Sequence, residues 1–129
     1  MLEYHTVAVY APGTRNVDVV LSDGERDTLR DKTLRAMSEL FGSATCVPAV
    51  GAWTTDAGET VVEPINIVTA NVDAIRDEDT EWIKNFAAII ARAYQQVSVT
   101  VAIDGGLEFI IPDFVSVDGH AAEVVGYLK

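Results

Sequence analysis

The residue of this sequence best suited to chemistry is a single carboxylate, Glu63, in an otherwise apolar stretch. If that stretch is a strand, Glu63 lies on the same face as Val61, Ile65 and Ile67. A carboxylate among apolar neighbours is unfavourable unless it is paired, protonated or used by a ligand. Glu63 could therefore orient a substrate, accept hydrogen bonds from a cationic or amide-bearing ligand, or act as a general base. The alternative is that it reaches water or pairs with an arginine such as Arg35.

Two further side chains fall near the ends of predicted elements and could join Glu63 in a ligand site. Trp53 precedes a predicted hairpin turn, where an indole either stacks on a planar ligand or packs as a structural anchor. Gln96 follows a predicted helix, where its amide either recognises a ligand or caps the helix carbonyls, and the same choice applies to Gln95. Convergence of Trp53, Glu63 and a glutamine in the fold would make a stronger case than any of them alone.

No group of residues matches a recognised catalytic or metal-binding pattern, so we assign no catalytic residue, metal ligand or cofactor. The histidines, His5 and His120, lie near opposite ends of the chain, and neither has a second ligand at metal-binding spacing. The single cysteine, Cys46, begins a predicted strand, with no helix N-terminus to activate it. These observations favour a protein that is not an enzyme.

Composition restricts the classes of partner. The 129 residues suit one domain, residues 1–129, and the charge of −11 opposes binding to nucleic acid or anionic lipid while leaving room for a basic protein partner. The sequence has no apolar run of about 18 residues that would span a membrane, and its first residues lack the features of a signal peptide. One cysteine excludes an intramolecular disulfide. We therefore expect a cytoplasmic protein with neither a membrane nor a nucleic-acid partner.

Residue periodicity predicts strands and two helices. Residues 4–10 alternate with period two, as a strand does. The Ser22–Glu25 spacing of a capping box precedes an apolar helix face that should end at Gly42. A long hairpin with its turn at residues 55–58 follows, then an amphipathic helix and the alternating strand 97–103.

This order of strand, helix, hairpin, helix and strand is that of the ferredoxin-like, or split βαβ, sandwich. The sequence therefore predicts an α+β fold in which one antiparallel sheet carries two helices on one face and has extra edge strands. The tail from Asp113 to Lys129 is not assigned a structure or a role.

The hairpin resembles that of a family of small uncharacterised microbial domains. In that family a helix ends in Phe-Gly-Gly-x-Thr, and Gly-x-Trp, a glycine turn and a glutamate in the returning strand follow. A second helix follows in that family and ends in a glutamine just before a valine-rich strand. The matching positions here are Phe41, Gly42, Thr45, Gly51, Trp53, Gly58, Glu63, Gln95 or Gln96, and Val97 to Val101. Ser43 departs from the pattern, because the second glycine would stand there. The resemblance implies the ferredoxin-like fold and no activity, and Thr45, one of its positions, joins Trp53, Glu63 and Gln96 as a candidate ligand-binding residue.

The sheet face without helices is a second candidate surface. Tyr4, Thr6, Tyr10, Ser98 and Thr100 have the strand parity to line it. A mixture of tyrosine and threonine suits a ligand floor or a contact between subunits better than bare solvent. We expect a homo-oligomer that forms through this face or through a sheet edge.

Three functions compete on these observations. The first is a non-enzymatic accessory protein, of viral or mobile-element type, that sequesters a small polar or nucleotide-derived ligand. The second is an acidic protein-interaction module, of the inhibitor or immunity type, that binds a basic protein. The third is a small ferredoxin-like enzyme in which Glu63 is the general base. The sequence favours the first.

Overall fold

The structure, a computed structural model, describes residues 4–16 and 18–114. His120 and most of the unassigned tail lie outside the described residues. Within the described part the elements, in chain order, are β1 His5–Ala11, β2 Thr14–Arg15, β3 Val19–Val20, α1 Asp23–Phe41, β4 Thr45–Thr54, β5 Thr60–Val72, α2 Asp77–Ala93, β6 Val99–Ile103 and β7 Gly106–Ile110.

The main sheet is antiparallel and has the strand order β4-β5-β1-β6-β7. Its first four strands with α1 and α2 form the split βαβ arrangement, and β7 adds an edge strand. The predicted ferredoxin-like α+β fold is thus confirmed. Strands β2 and β3 pair only with each other, in a small second sheet.

Both helices cover the same face of the main sheet. The residues of β1 in the core cluster, Val7, Val9 and Ala11, alternate along the strand, and Val68 and Ala70 of β5 lie opposite two of them. Because successive strand residues point to opposite faces, the core lies on one side of the sheet. The helices contribute a buried set that includes Leu29, Met37, Trp82, Ile83, Phe86 and Ile90.

Local sequence signals set the helix ends. The Ser22 hydroxyl accepts the backbone N–H of Glu25, and the Glu25 carboxylate accepts that of Ser22, each at 3.2 Å, so the predicted capping box is present. Gly42 ends α1 with φ of 94°, a left-handed conformation that favours glycine. Helix α2 begins after Arg76, whose backbone N–H is accepted by the Asp79 carboxylate at 3.1 Å.

The hairpin of β4 and β5 extends past the rest of the sheet. Strand β1 pairs with β5 only from Val72 to Asn66, so residues 60–65 of β5 pair with β4 alone. At this point β1 ends at Ala11 and the chain turns away through Pro12 and Gly13. The projecting hairpin therefore leaves a gap between itself and the start of β6.

Among the described residues, no helix combines the length and the apolar character needed to cross a membrane.

Candidate functional site

A cleft of about 920 Å³ occupies the gap beside the projecting hairpin. This volume is within the range of small-molecule sites in proteins. Its lining comes from the hairpin tip, from β5, from the segment that leads into β6, and from one residue each of β6 and β7. The lining residues are Ala52, Trp53, Thr54, Thr55, Asp56, Ala57, Glu63, Gln96, Val97, Ser98, Thr100 and Phe109. Three of the four predicted ligand-binding residues, Trp53, Glu63 and Gln96, therefore meet at one cleft.

Glu63 is held at the cleft by a backbone contact. Its Oε2 atom accepts the backbone N–H of Gly13 at 3.0 Å, and the side chain is half-buried. A hydrogen bond from an amide to a carboxylate is charge-assisted and stronger than a neutral one. No contact of the described residues occupies Oε1. The suggested partner Arg35 instead pairs with Glu39 at 3.1 Å, so one carboxylate oxygen of Glu63 is available to a ligand.

Gln96 makes several hydrogen bonds to its own protein. Its Nε2 donates to the carbonyl oxygens of Thr14 at 2.7 Å and of Tyr94 at 3.0 Å. It also contacts the Thr14 hydroxyl, which lies 3.4 Å from Oε1. Gln96 thus joins the end of α2 to Thr14, the first residue of β2, in addition to any contact it makes with a ligand.

Aromatic side chains stand on two sides of the cleft. Trp53 lies on β4 opposite Val61, and Phe109 lies on β7 opposite Thr100, so the two rings come from the two edge strands of the sheet. Phe109 is 69% exposed, which is high for a phenylalanine. A planar ligand in the cleft could stack on either ring.

The charge of the cleft is negative. Asp56 and Glu63 are its charged lining residues, and lysine, arginine and histidine are absent from the described lining. Two arginines that could neutralise an anionic ligand make contacts outside the cleft. Arg76 pairs with Asp79, and Arg92 donates to the carbonyl oxygen of Pro112. The cleft consequently suits a cationic or neutral ligand and disfavours a phosphate.

The remaining predicted site residues divide between the two ends of the sheet. Ser98 and Thr100, expected at a subunit interface, line the cleft. Thr45 lies eight residues from Trp53 along β4, about 26 Å away at the rise of a strand, so it does not reach the cleft. Tyr4 and Thr6 lie toward the opposite end, and Tyr10 pairs with Ile67 on the face without helices.

A second polar cluster marks that opposite end. His5 Nδ1 lies 2.6 Å from Asp104 Oδ2, and the backbone N–H of Thr6 donates to Asp104 Oδ1 at 3.2 Å. These hydrogen bonds, with that of His5 the largest influence, lower the pKa of Asp104 below its usual value. The cluster ties the start of β1 to the turn between β6 and β7.

Other candidate groups give no second site within the described residues. No group of three or more His, Cys, Asp or Glu residues there could hold a metal ion. Cys46 is partly buried, and this burial raises the pKa of its thiol. A raised thiol pKa reduces the thiolate fraction and thus the reactivity.

Comparison with known proteins relates this fold to solved structures. No family model and no curated protein matches the sequence. The structure is similar to that of a phage SAM lyase in its apo state, with a TM-score of 0.58, 15% identity, and coverage of 87% of this chain and 92% of that one. It is also similar to a phage SAM lyase in complex with S-methyl-5'-thioadenosine, with a TM-score of 0.59, 13% identity, and coverage of 88% and 93%. At such identities the likeness establishes the fold.

The comparison corrects the preference for a non-enzymatic protein. Both solved structures are those of a named enzyme, one of them with a small nucleoside-derived molecule bound. Because a protein of similar fold is an enzyme, the expectation of a non-enzymatic protein that only sequesters a ligand is overturned.

Proposed function

We propose that this protein is an enzyme of the SAM lyase type, which binds S-adenosylmethionine in the cleft and releases S-methyl-5'-thioadenosine. The observation that carries the proposal is the cleft itself, which a carboxylate with one available oxygen shares with two aromatic side chains. The likeness in fold to a phage SAM lyase that holds this nucleoside supports the same assignment. It also favours a viral accessory role, in which the ligand is cleaved rather than sequestered.

The reaction breaks one carbon–sulfur bond. The sulfonium sulfur takes both electrons of its bond to the aminobutyrate chain and becomes the neutral thioether of S-methyl-5'-thioadenosine. A lyase adds no water, so the four-carbon fragment keeps its own atoms. Either its carboxylate closes onto the carbon that sulfur leaves, or the neighbouring carbon loses a proton to a base and a double bond forms. Both routes are balanced without an oxidant or a metal ion.

Glu63 has a distinct part in each route. As a counter-charge it attracts the cationic substrate, whose sulfonium and ammonium groups outnumber its one carboxylate. As a general base it would accept the proton in the elimination route, the role considered for Glu63 from the sequence. The negative lining of Asp56 and Glu63 suits this substrate, and loss of the sulfonium charge in the product favours release.

The aromatic walls suit the adenine ring of the substrate. Stacking of a base on an aromatic side chain contributes about 1–3 kcal/mol to the free energy of binding, as measured by replacing the aromatic residue with alanine. Trp53 and Phe109 supply such surfaces, and Ser98 and Thr100 add hydroxyls that can donate to or accept from the nucleoside.

Product analysis tests the proposal. Purified protein is incubated with S-adenosylmethionine, and the products are separated by liquid chromatography with mass detection. We expect S-methyl-5'-thioadenosine, with a loss of rate of about 100-fold or more in Glu63→Gln. Glu59→Gln is the matched control, because Glu59 is exposed in the turn of the same hairpin. Absence of the product from the wild-type reaction would overturn the proposal.

The four-carbon product separates the two routes. Ring closure gives a lactone and elimination gives an unsaturated amino acid of the same mass, so proton NMR is the suitable measurement. Vinyl protons would assign the base role to Glu63, and a lactone would assign it the counter-charge role.

The proposal includes self-association through the face without helices. Val47 and Leu107, which have the parity of that face, are 53% and 56% exposed, and apolar surface of this kind favours a protein contact. Native mass spectrometry should give a multiple of the chain mass, reduced to the monomer by Val47→Asp; a monomeric wild type would contradict this part.

A further inference from the structure

We propose that Gln96 is a positioning residue, which fixes the Glu63 carboxylate by holding the loop between β1 and β2. This inference rests on the proposed function and gives Gln96 a role other than ligand recognition. The chain of contacts runs from Gln96 to Thr14, from Thr14 to its neighbour Gly13, and from the Gly13 N–H to Glu63.

The first link uses up the donors of the Gln96 side chain. A primary amide has two N–H donors, and those of Gln96 face the carbonyl oxygens of Thr14 and Tyr94 at 2.7 and 3.0 Å. Its Oε1 lies 3.4 Å from the Thr14 hydroxyl. Thr14 is fully buried, so these bonds are made away from bulk water and are costly to lose. Little donor capacity remains with which Gln96 could recognise a ligand.

The second link is the close packing of Gly13 against β5. A Cβ atom at this position would overlap the carbonyl oxygen of Pro64, the residue next to Glu63. The Gly13 carbonyl in turn accepts the backbone N–H of Leu21 at 2.9 Å. Gly13 is therefore packed directly against β5, and a shift of Thr14 is transmitted to the amide that Glu63 accepts.

The third link is the carboxylate. The bond from Gly13 holds Oε2 in place and so restricts the positions that Oε1 can adopt. A group that acts on a reacting atom must be placed accurately, since an error of about 1 Å can cost 100-fold in rate. Gln96 thereby acts on the rate of the reaction through Gly13.

The test compares Gln96→Glu with Gln95→Glu. The first keeps the size and the acceptor oxygens of Gln96 and removes its two donors. The second adds the same charge to an exposed neighbouring side chain. In Gln96→Glu we expect the exchange of the Gly13 amide hydrogen, followed by NMR, to become at least tenfold faster. We expect kcat for S-adenosylmethionine to fall 10- to 100-fold, with the Kd of S-methyl-5'-thioadenosine changed less than threefold.

Three outcomes decide the inference. Faster Gly13 exchange with a kcat effect supports it, and unchanged exchange overturns it. A loss of S-methyl-5'-thioadenosine affinity with unchanged kcat also overturns it, because Gln96 would then be a ligand-binding residue. If the wild type does not cleave S-adenosylmethionine the proposed function fails, and Gly13 exchange alone still decides the positioning. Should Gln96→Glu not fold, Thr14→Val removes the hydroxyl side of the same contact and is expected to give a smaller acceleration of exchange.

Discussion

The two ends of β1 each carry a carboxylate that accepts a backbone N–H, and the two clusters differ in what else that carboxylate contacts. At the cleft, Glu63 accepts the Gly13 amide through one oxygen and keeps the other available. At the opposite end, both oxygens of Asp104 are engaged, one by His5 and one by the Thr6 amide. The same kind of contact therefore belongs to the proposed ligand site at one end, and at the other end it belongs to a structural cluster of His5, Thr6 and Asp104, which we call the clasp.

Burial separates the two clusters as well. Pro12, Gly13 and Thr14 are buried beside Glu63, whereas the side chains of His5 and Asp104 are 38% and 49% exposed. An exposed ion pair contributes little to stability, with a median below about 1 kcal/mol. Breaking a buried hydrogen bond to a charged group costs more free energy than breaking an exposed ion pair. Substitutions at the cleft end should therefore have the larger effects on stability.

Gly13→Ala is expected to have the largest effect on stability. The added methyl group would overlap the Pro64 carbonyl oxygen, and we expect a cost of about 3 kcal/mol and a fall in Tm of about 10 °C. Calorimetry measures the change. Gly24→Ala is the matched control, since nothing lies within 4 Å of its added Cβ and alanine favours the helix that contains it. Equal Tm values for Gly13→Ala and the wild type would contradict the close packing of Gly13 against the Pro64 carbonyl.

Loss of an aromatic wall is expected to weaken ligand binding without unfolding the protein. Trp53→Ala and Phe109→Ala should each raise the Kd of S-methyl-5'-thioadenosine about tenfold, in line with the ~1–3 kcal/mol of base stacking. Isothermal titration calorimetry gives the Kd. Leu107→Ala is the control, because Leu107 shares the strand and the face of Phe109 but does not line the cleft. An equal effect of Leu107→Ala would mean that the face as a whole, rather than the cleft, responds.

The smallest effect is expected at the clasp. The His5 contact and the Thr6 amide lower the pKa of Asp104, so its contribution to stability is present above the usual carboxyl pKa of about 3.9 and disappears as the pH falls through the folded value. Asp104→Asn should thus be slightly less stable than the wild type at pH 7, and the difference should vanish at strongly acid pH. Urea unfolding at several pH values measures it.

The clasp substitution also bears on the comparison of the two ends. Cleavage of S-adenosylmethionine at pH 7 should be unchanged in Asp104→Asn, because Asp104 is remote from the cleft. A large loss of rate would mean that the two clusters are coupled through β1 and do not have separate roles.

The fold was predictable because local signals agreed with the long-range arrangement. The Ser22–Glu25 capping box, the left-handed Gly42 and the hairpin turn at Gly58 each occur where the sequence placed them. The meeting of Trp53, Glu63 and Gln96 at one cleft depends on that fold. From the sequence we could say only that a ligand site would follow if these residues converged. The distance of Thr45 from the cleft follows from the length of β4, because Thr45 and Trp53 lie near opposite ends of this ten-residue strand.

Other features of the site had no local signal. Gln96 and Thr14 are 82 positions apart in sequence, so their contact is visible only in the fold. Phe109 lies in a short apolar run that has the appearance of an ordinary edge strand. For the proposed reaction, a sulfonium is already a good leaving group, so the protein needs no nucleophile, metal or triad that would leave a motif. A sequence without such motifs accordingly favoured a ligand-binding protein that is not an enzyme, and the likeness to solved structures of an enzyme contradicts the second part of that expectation.

A crystal structure of this protein with S-methyl-5'-thioadenosine tests the central claim most directly. We expect its density in the cleft, with the adenine ring against Trp53 or Phe109 and the carboxylate of Glu63 within hydrogen-bond distance of the nucleoside. Density for the nucleoside elsewhere on the molecule, with an empty cleft at a saturating concentration, would contradict the account.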